Sequence, residues 1–141
     1  MSLENIFKIS GAGLSVQRER MDVINENIAN ISTTRTAEGG PYKPKEISVK
    51  AKKFKDDSFD FDSTKMSLPN VSSISESSRP PIVVYDPTHP DAVNGYVAYP
   101  DINATEELVN MMTASTAYEA NMNIFNASKS MILRTLDLGE G

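Results

Sequence analysis

Apolar residues recur at helical spacing through the last third of the chain. Read in sevens, Leu108, Ser115, Met122, Lys129 and Leu136 share one position, and Met111, Tyr118, Phe125 and Ile132 share another. Seven of these nine are apolar, the spacing of a long helix that lays one stripe against a second helix. Beside the stripe runs a second row, Ala117, Ala120, Ile124, Ala127 and Met131, whose small members admit further helices on another side. Between Leu108 and Ser128 the only formal charge is Glu119. A helix with a solvated far face normally carries Lys and Glu there, so this pattern predicts a helix surrounded by protein. Its limits are marked as well. Asn103 followed by Glu106 has the spacing of an N-terminal capping box. Glu106 and Glu107 sit toward the positive end of the helix dipole, Lys129 and Arg134 toward the negative end, and Gly139 is a stop.

A second helix is predicted over Leu3–Asn30. Leu3, Phe7, Leu14, Met21, Ile24, Ile28 and then Ile31 fall on heptad positions, with Ser10 and Gln17 as polar interruptions. Gly11 and Gly13 each cost about 1 kcal/mol in a helix interior; they mark a bend, a frayed first turn or a tight helix contact. The charges Arg18, Glu19, Arg20, Asp22 and Glu26 lie in the second half, leaving a first half nearly as bare as the C-terminal helix. The two ends of the chain are therefore expected to pack together. After them comes NENIAN (25–30) and then ISTTRT (31–36). One reading makes the asparagines a polar helix stop, with Ser and Thr bonding to nearby backbone. The other has the Asn27 and Asn30 amides hold a neighbouring chain.

The middle of the chain has a different period. AEGGP (37–41) reads as a flexible joint. In residues 42–54, Ile47, Val49 and Ala51 alternate with Lys and Glu, which is strand-like. The acidic stretch Asp56–Asp62 is placed to pair with its lysines, and the Ser-rich segment within 56–80 reads as a flexible loop. Ile82–Tyr85 and Tyr96–Tyr99 are short strands around DPTHPDAVNG (86–95), which is turn chemistry throughout. The expected fold class is thus α+β. Long N- and C-terminal helices pair as an antiparallel coiled coil (residues 1–36 and 103–141), and a small β-hairpin-rich unit (37–102) is inserted between them.

Composition narrows the function. Residues 1–55 carry ten Lys/Arg against six Asp/Glu, and residues 56–141 carry four against thirteen. That polarity suits head-to-tail contact between copies as well as a nucleic-acid patch. The lysine-rich segment 43–55 has only Tyr42 and Phe54 near it for base stacking, so nucleic-acid binding is not expected. The chain has no cysteine, which removes disulfides, thiolate nucleophiles and Cys-zinc sites. No apolar run approaches the ~20 residues that cross a bilayer, and the N-terminus lacks the pattern of a cleavable signal. The expectation is a soluble protein, not membrane-spanning and, if exported, not by the signal-peptide route. Carboxylates are scattered in loops, and there is neither a phosphate-cradling Gly loop nor a nucleophile elbow. His89 has Asp86 and Asp91 nearby but no second His or Cys, so a structural turn is favoured over a metal site. No catalytic residue, metal or cofactor is expected.

At NENIAN–STTRT, GGPY, DPTHPD, GYVAYPDIN and AYEANMNIFNASKSM the chain resembles the flagellar basal-body rod proteins, and its order and length are those of the short proximal members. The resemblance covers nearly the whole chain. It implies a non-enzymatic axial subunit that leaves the cell uncleaved through the flagellar type III export apparatus. Such a subunit polymerises in the periplasmic rod with copies of itself and other proximal and distal rod subunits. The helices would form the inner tube around the export channel. The N-terminal signature maps onto Asn27, Ile28, Ala29 and Asn30, and the C-terminal one onto Ala114, Ser115, Tyr118, Glu119, Ala120 and Asn121. With the heptad reading, the expected assembly residues also include Leu108, Met111, Met122, Phe125, Ile132 and Leu136. One position departs from the family pattern: Thr116 stands where members often carry Arg. A salt link from that Arg would be absent here, or supplied by a residue such as Arg35. The competing reading, from another class, is a helical adaptor or export-chaperone-like protein that binds one partner through its end helices.

Overall fold

A computed structural model describes residues 3–53 and 67–139. Helix α1 spans Leu3–Ala29 and helix α2 spans Ala104–Gly139; between them lie strands β1 (Lys45–Lys53), β2 (Ser67–Glu76), β3 (Ile82–Tyr85) and β4 (Tyr96–Tyr99). The helix limits follow the local signals. The Asn103 carboxamide oxygen accepts the Thr105 and Glu106 amides at 3.0 and 3.4 Å, which caps α2. At the end of α1, Asn30 donates from its side chain to the Glu26 carbonyl (2.8 Å) and accepts from the Thr33 hydroxyl (3.1 Å), closing carbonyls that the helix leaves open.

The helices run antiparallel along each other. Phe7 stacks on Phe125 with ring centroids 4.0 Å apart, Gly13 meets Asn121, and Asn27 lies near Glu107. The expected α+β arrangement of paired terminal helices and an inserted hairpin unit is what the chain adopts.

Two loop expectations are corrected. Residues 67–76, expected within a flexible loop, form β2 and pair antiparallel with β1 from Lys45↔Glu76 to Lys53↔Ser67. Ile47 faces Ile74 and Val49 faces Val71 across the pair, the cross-strand contacts that stabilise a hairpin. Between them Ser72 is one residue too many: Ser48 pairs with Ser73 and Val49 with Val71. The result is a bulge, with the Ser72 hydroxyl donating to the Ser48 carbonyl at 3.1 Å. Serine lowers strand propensity, but a paired backbone and three apolar anchors (Leu68, Val71, Ile74) outweigh it here. The lysine-bearing strand thus has β2 as its partner, and Asp56–Asp62 lie outside the described residues.

The second correction concerns AEGGP, read as a flexible joint. It is a hydrogen-bonded turn, with the Thr36 amide donating to Gly40 (2.9 Å) and the Gly39 amide to Thr36 (3.1 Å). Gly39 and Gly40 take φ of 89° and 79°, a region that side chains disfavour.

The β1–β2 hairpin packs on α1, and β3–β4 forms a separate two-stranded sheet. Its turn is closed by Asp86, whose carboxylate accepts the Thr88 amide (3.1 Å) and hydroxyl (2.6 Å). His89 accepts the Asp91 amide through Nδ1 at 3.1 Å and sets its ring edge-on to Tyr99, the structural turn read from the sequence. Buried apolar residues among those described are few: Val16, Val23, Ile24, Val97 and Ala114.

Candidate functional site

The helix seam is built from small residues. On α2 the line Ala114, Asn121 and Ser128 flanks Met111, Tyr118, Phe125 and Ile132; Ala114 is 0 % exposed and Ser128 is buried. On α1 the facing line includes Ser10 and Gly13. A Cβ at Gly13 would stand 2.8 Å from Asn121 Nδ2, whereas one at Gly11 would stand 3.9 Å from the Phe125 ring. Gly13 therefore marks a tight helix contact, one of the three roles its sequence allowed. The buried serines satisfy their hydroxyls on their own helices, Ser10 to the Ile6 carbonyl (2.9 Å) and Ser128 to that of Ile124 (2.8 Å). They thus enter the seam without an unmet hydrogen bond.

At the other end of the pair, α1, α2 and β1 meet on Asn27, which is 3 % exposed. Its Oδ1 accepts the Lys45 amide at 2.8 Å and the Tyr42 hydroxyl at 3.1 Å, while its Nδ2 donates to the Lys45 carbonyl at 3.0 Å. The side-chain amide thus bonds both backbone groups of one residue, as an adjacent strand would, and fixes where β1 begins on α1. The Glu107 carboxylate lies close enough to the Asn27 amide to feel it. Lys45 pairs with Glu26 beside it.

Burial pushes the Glu107 carboxyl above its ordinary pKa, with repulsion from Glu106 adding to the rise; the Asn27 amide and Arg79 act against it. Burial and then the charges of Glu26, Glu107 and Glu76 raise the Tyr42 phenol to about 12. Arg79 clamps the return to α2, reaching Glu46 at 3.7 Å and Asp101 at 3.8 Å.

The expected assembly residues accordingly fall into three groups. Asn27 and Asn30 spend their amides inside the chain, as hairpin pin and helix cap. Met111, Tyr118, Asn121, Phe125 and Ile132 are half-buried along the seam, with Ser115 and Met122 at its rim; Ile28 is half-buried and Ala29 exposed. Leu108, Glu119 and Leu136 face outward. With them stand Val109, Met112, Ile124, Met131 and Leu133, all at or near half exposure, Met112 at 70 %. A helix face this apolar and this exposed is unusual for a surface that stays in water. Among the described residues no three metal-ligating side chains converge, and no helix is long and apolar enough to cross a membrane.

Comparison with known proteins decides what such a helix pair belongs to. The family described as "Flagellar basal body rod FlgEFG protein C-terminal" matches residues 93–138, which is β4, the lead-in and nearly all of α2. Over its whole length the chain is 39 % identical to the flagellar basal-body rod protein FlgC of Borreliella burgdorferi, covering all of both chains. It is 38 % identical to FlgC of Salmonella typhimurium and 35 % to FlgC of Bacillus subtilis, covering 99 % of this chain and 100 % of each relative. This chain belongs to the FlgC family of flagellar basal-body rod proteins.

Within this FlgC-family chain, Arg35 makes its ion pair with the β3–β4 turn. Its guanidinium lies 3.6 Å from Asp91, which also accepts the Thr34 hydroxyl at 2.8 Å. The STTRT segment is thereby tied to the β3–β4 turn. Thr116 turns its hydroxyl back onto the Met112 carbonyl at 2.9 Å. The sequence reading missed Val16, Val23 and Ser128, and it named Ala114 and Asn121 through the family signature and not as a packing line. On α2 position alone could have found the flank, since Ala114, Asn121 and Ser128 each follow Met111, Tyr118 and Phe125 by three residues, but their small or polar side chains hid it.

Proposed function

We propose that the two terminal helices build this FlgC-family chain into its polymer, as a structural axial subunit of the proximal rod of the flagellar basal body. The observation that carries this reading is the outward face of α2. Leu108, Val109, Met112, Ile124 and Met131 stand in solvent with Glu119 as the only formal charge from 108 to 128. Covering such side chains fully contributes on the order of 1.5–3 kcal/mol each, so a neighbouring helix laid along this face gains several kcal/mol without new polar chemistry. The seam side of α2 is already taken by α1, and the outward side remains for copies or for other rod subunits. This reading assigns no catalysis to the subunit, in keeping with relatives that are named as basal-body rod proteins. The family resemblance supports passage through the flagellar type III export apparatus without a cleaved leader and a working place in the periplasmic rod.

The test is Met112→Glu in cells that carry the chain as their sole copy. Met112 is so exposed that the isolated variant should keep its helical signal and its stability to within about 0.5 kcal/mol. A buried, unpaired carboxylate in the polymer should stop rod growth and abolish swimming. Normal rods and normal swimming from this variant would refute the reading.

A further inference from the structure

One charge stands out between 108 and 128 of α2, a stretch that has no other. Glu119 is exposed, and the residues within one turn of it on α2 are Ser115, Thr116, Met122 and Asn123. None is a cation, so the helix supplies no partner at i±3 or i±4. Lys129 is ten residues away, about 15 Å along the axis. Among the described residues Glu119 carries no ion pair or hydrogen bond. Once the surrounding apolar face is covered, this carboxylate leaves water, and an unpaired buried charge costs more than the neighbouring side chains gain. The face is therefore suited only to a partner that brings a cation to that spot.

Arg18 is such a cation. It is exposed on α1, on the side away from Asn27 and Gly13, and it too has no ion pair among the described residues. Gly13 stands level with Asn121 and Asn27 with Glu107, so Arg18 stands level with Thr116, one turn from Glu119, an offset of about 4.5 Å. Two molecules side by side with nearly equal height thus present these charges to each other. From this complementarity of charge and level we infer that Glu119 pairs with Arg18 of a second copy of this chain, which makes the α2 outer face a directional self-association surface. The inference rests on the reading of the helices as assembly elements and adds the partner and its register.

Charge reversal tests it in purified full-length protein by sedimentation velocity at rising concentration. Glu119→Arg and Arg18→Glu should each weaken self-association about tenfold or more, the lower range for close interfacial charge pairs. The double variant should restore it. So should a one-to-one mixture of the two single variants, because each then meets the opposite sign on its neighbour; a pair formed within one molecule would gain nothing from mixing. The inference is overturned if wild-type protein does not self-associate, if the single variants associate like wild type, or if neither the double variant nor the mixture recovers. In the second case, loss of rods with Met112→Glu would leave the assembly reading standing while this pairing fails.

Discussion

Two glycines two residues apart in α1 should respond oppositely to the same substitution. In an unconstrained helix interior, Gly→Ala gains about 1 kcal/mol, because alanine has less backbone freedom to lose. At Gly11 the added methyl would meet only the Phe125 ring edge at 3.9 Å, an ordinary contact. Gly11→Ala should therefore stabilise by about 0.5–1 kcal/mol. At Gly13 the methyl would fall 2.8 Å from Asn121 Nδ2 and 3.0 Å from its Cγ and Oδ1. Because Cγ is the atom next to the Asn121 Cβ, rotating only the amide does not clear the overlap. Either χ1 leaves its well, at about 0.5–1.5 kcal/mol, or the helices part, at about 1–3 kcal/mol. Set against the propensity gain, Gly13→Ala should range from neutral to about 2 kcal/mol destabilising. The decisive arm adds Asn121→Ala. With that side chain gone, Gly13→Ala should turn stabilising, by up to about 1 kcal/mol, and the two substitutions should couple by at least about 1 kcal/mol. Urea unfolding followed by far-ultraviolet circular dichroism, at concentrations where the protein is monomeric, gives all four corners of the cycle. If Gly13→Ala stabilises as much as Gly11→Ala, or if the cycle is additive, the seam does not run where Gly13 and Asn121 place it.

Asn27→Ala should cost about 3 kcal/mol or more, since it strips partners from the Lys45 amide and carbonyl and from the Tyr42 hydroxyl together. Urea unfolding measures the loss, and hydrogen exchange should show β1 opening before the helices; a change under about 1 kcal/mol would count against the pin. The Tyr42 phenol, held at about 12 in the folded chain against 10.0 when free, binds its proton more tightly folded than unfolded. Its contribution to stability is therefore complete below pH 10 and lost as pH rises through 12. An ultraviolet phenolate titration should show one late-ionising tyrosine that disappears in Tyr42→Phe; uniform ionisation near pH 10 would refute the environment assigned to it.

What the sequence determined alone was whatever depends on one element at a time. The 3.5-residue repeat of Met111, Tyr118, Phe125 and Ile132, the Asn103 cap, the Asn30 stop and the DPTHPD turn can all be read from neighbours in the chain, because helix period, capping and turn chemistry are local. Tertiary structure decided which flank of each heptad faces the partner. The seven-residue spacing favoured Ser115, Met122 and Leu136. The chosen flank is Ala114, Asn121 and Ser128, because closeness of approach depends on size on both sides, and Gly13 and Ser10 supply the space. It also decided that Asn27, which could equally well have ended a helix or gripped another chain, bonds the backbone of Lys45, eighteen positions away. The same is true of β2, whose serines argue for a loop until β1 supplies the hydrogen bonds and the facing Ile47 and Val49. Contacts between segments distant in sequence are set by shape and by shared partners, and neither is written in the polarity of a single stretch.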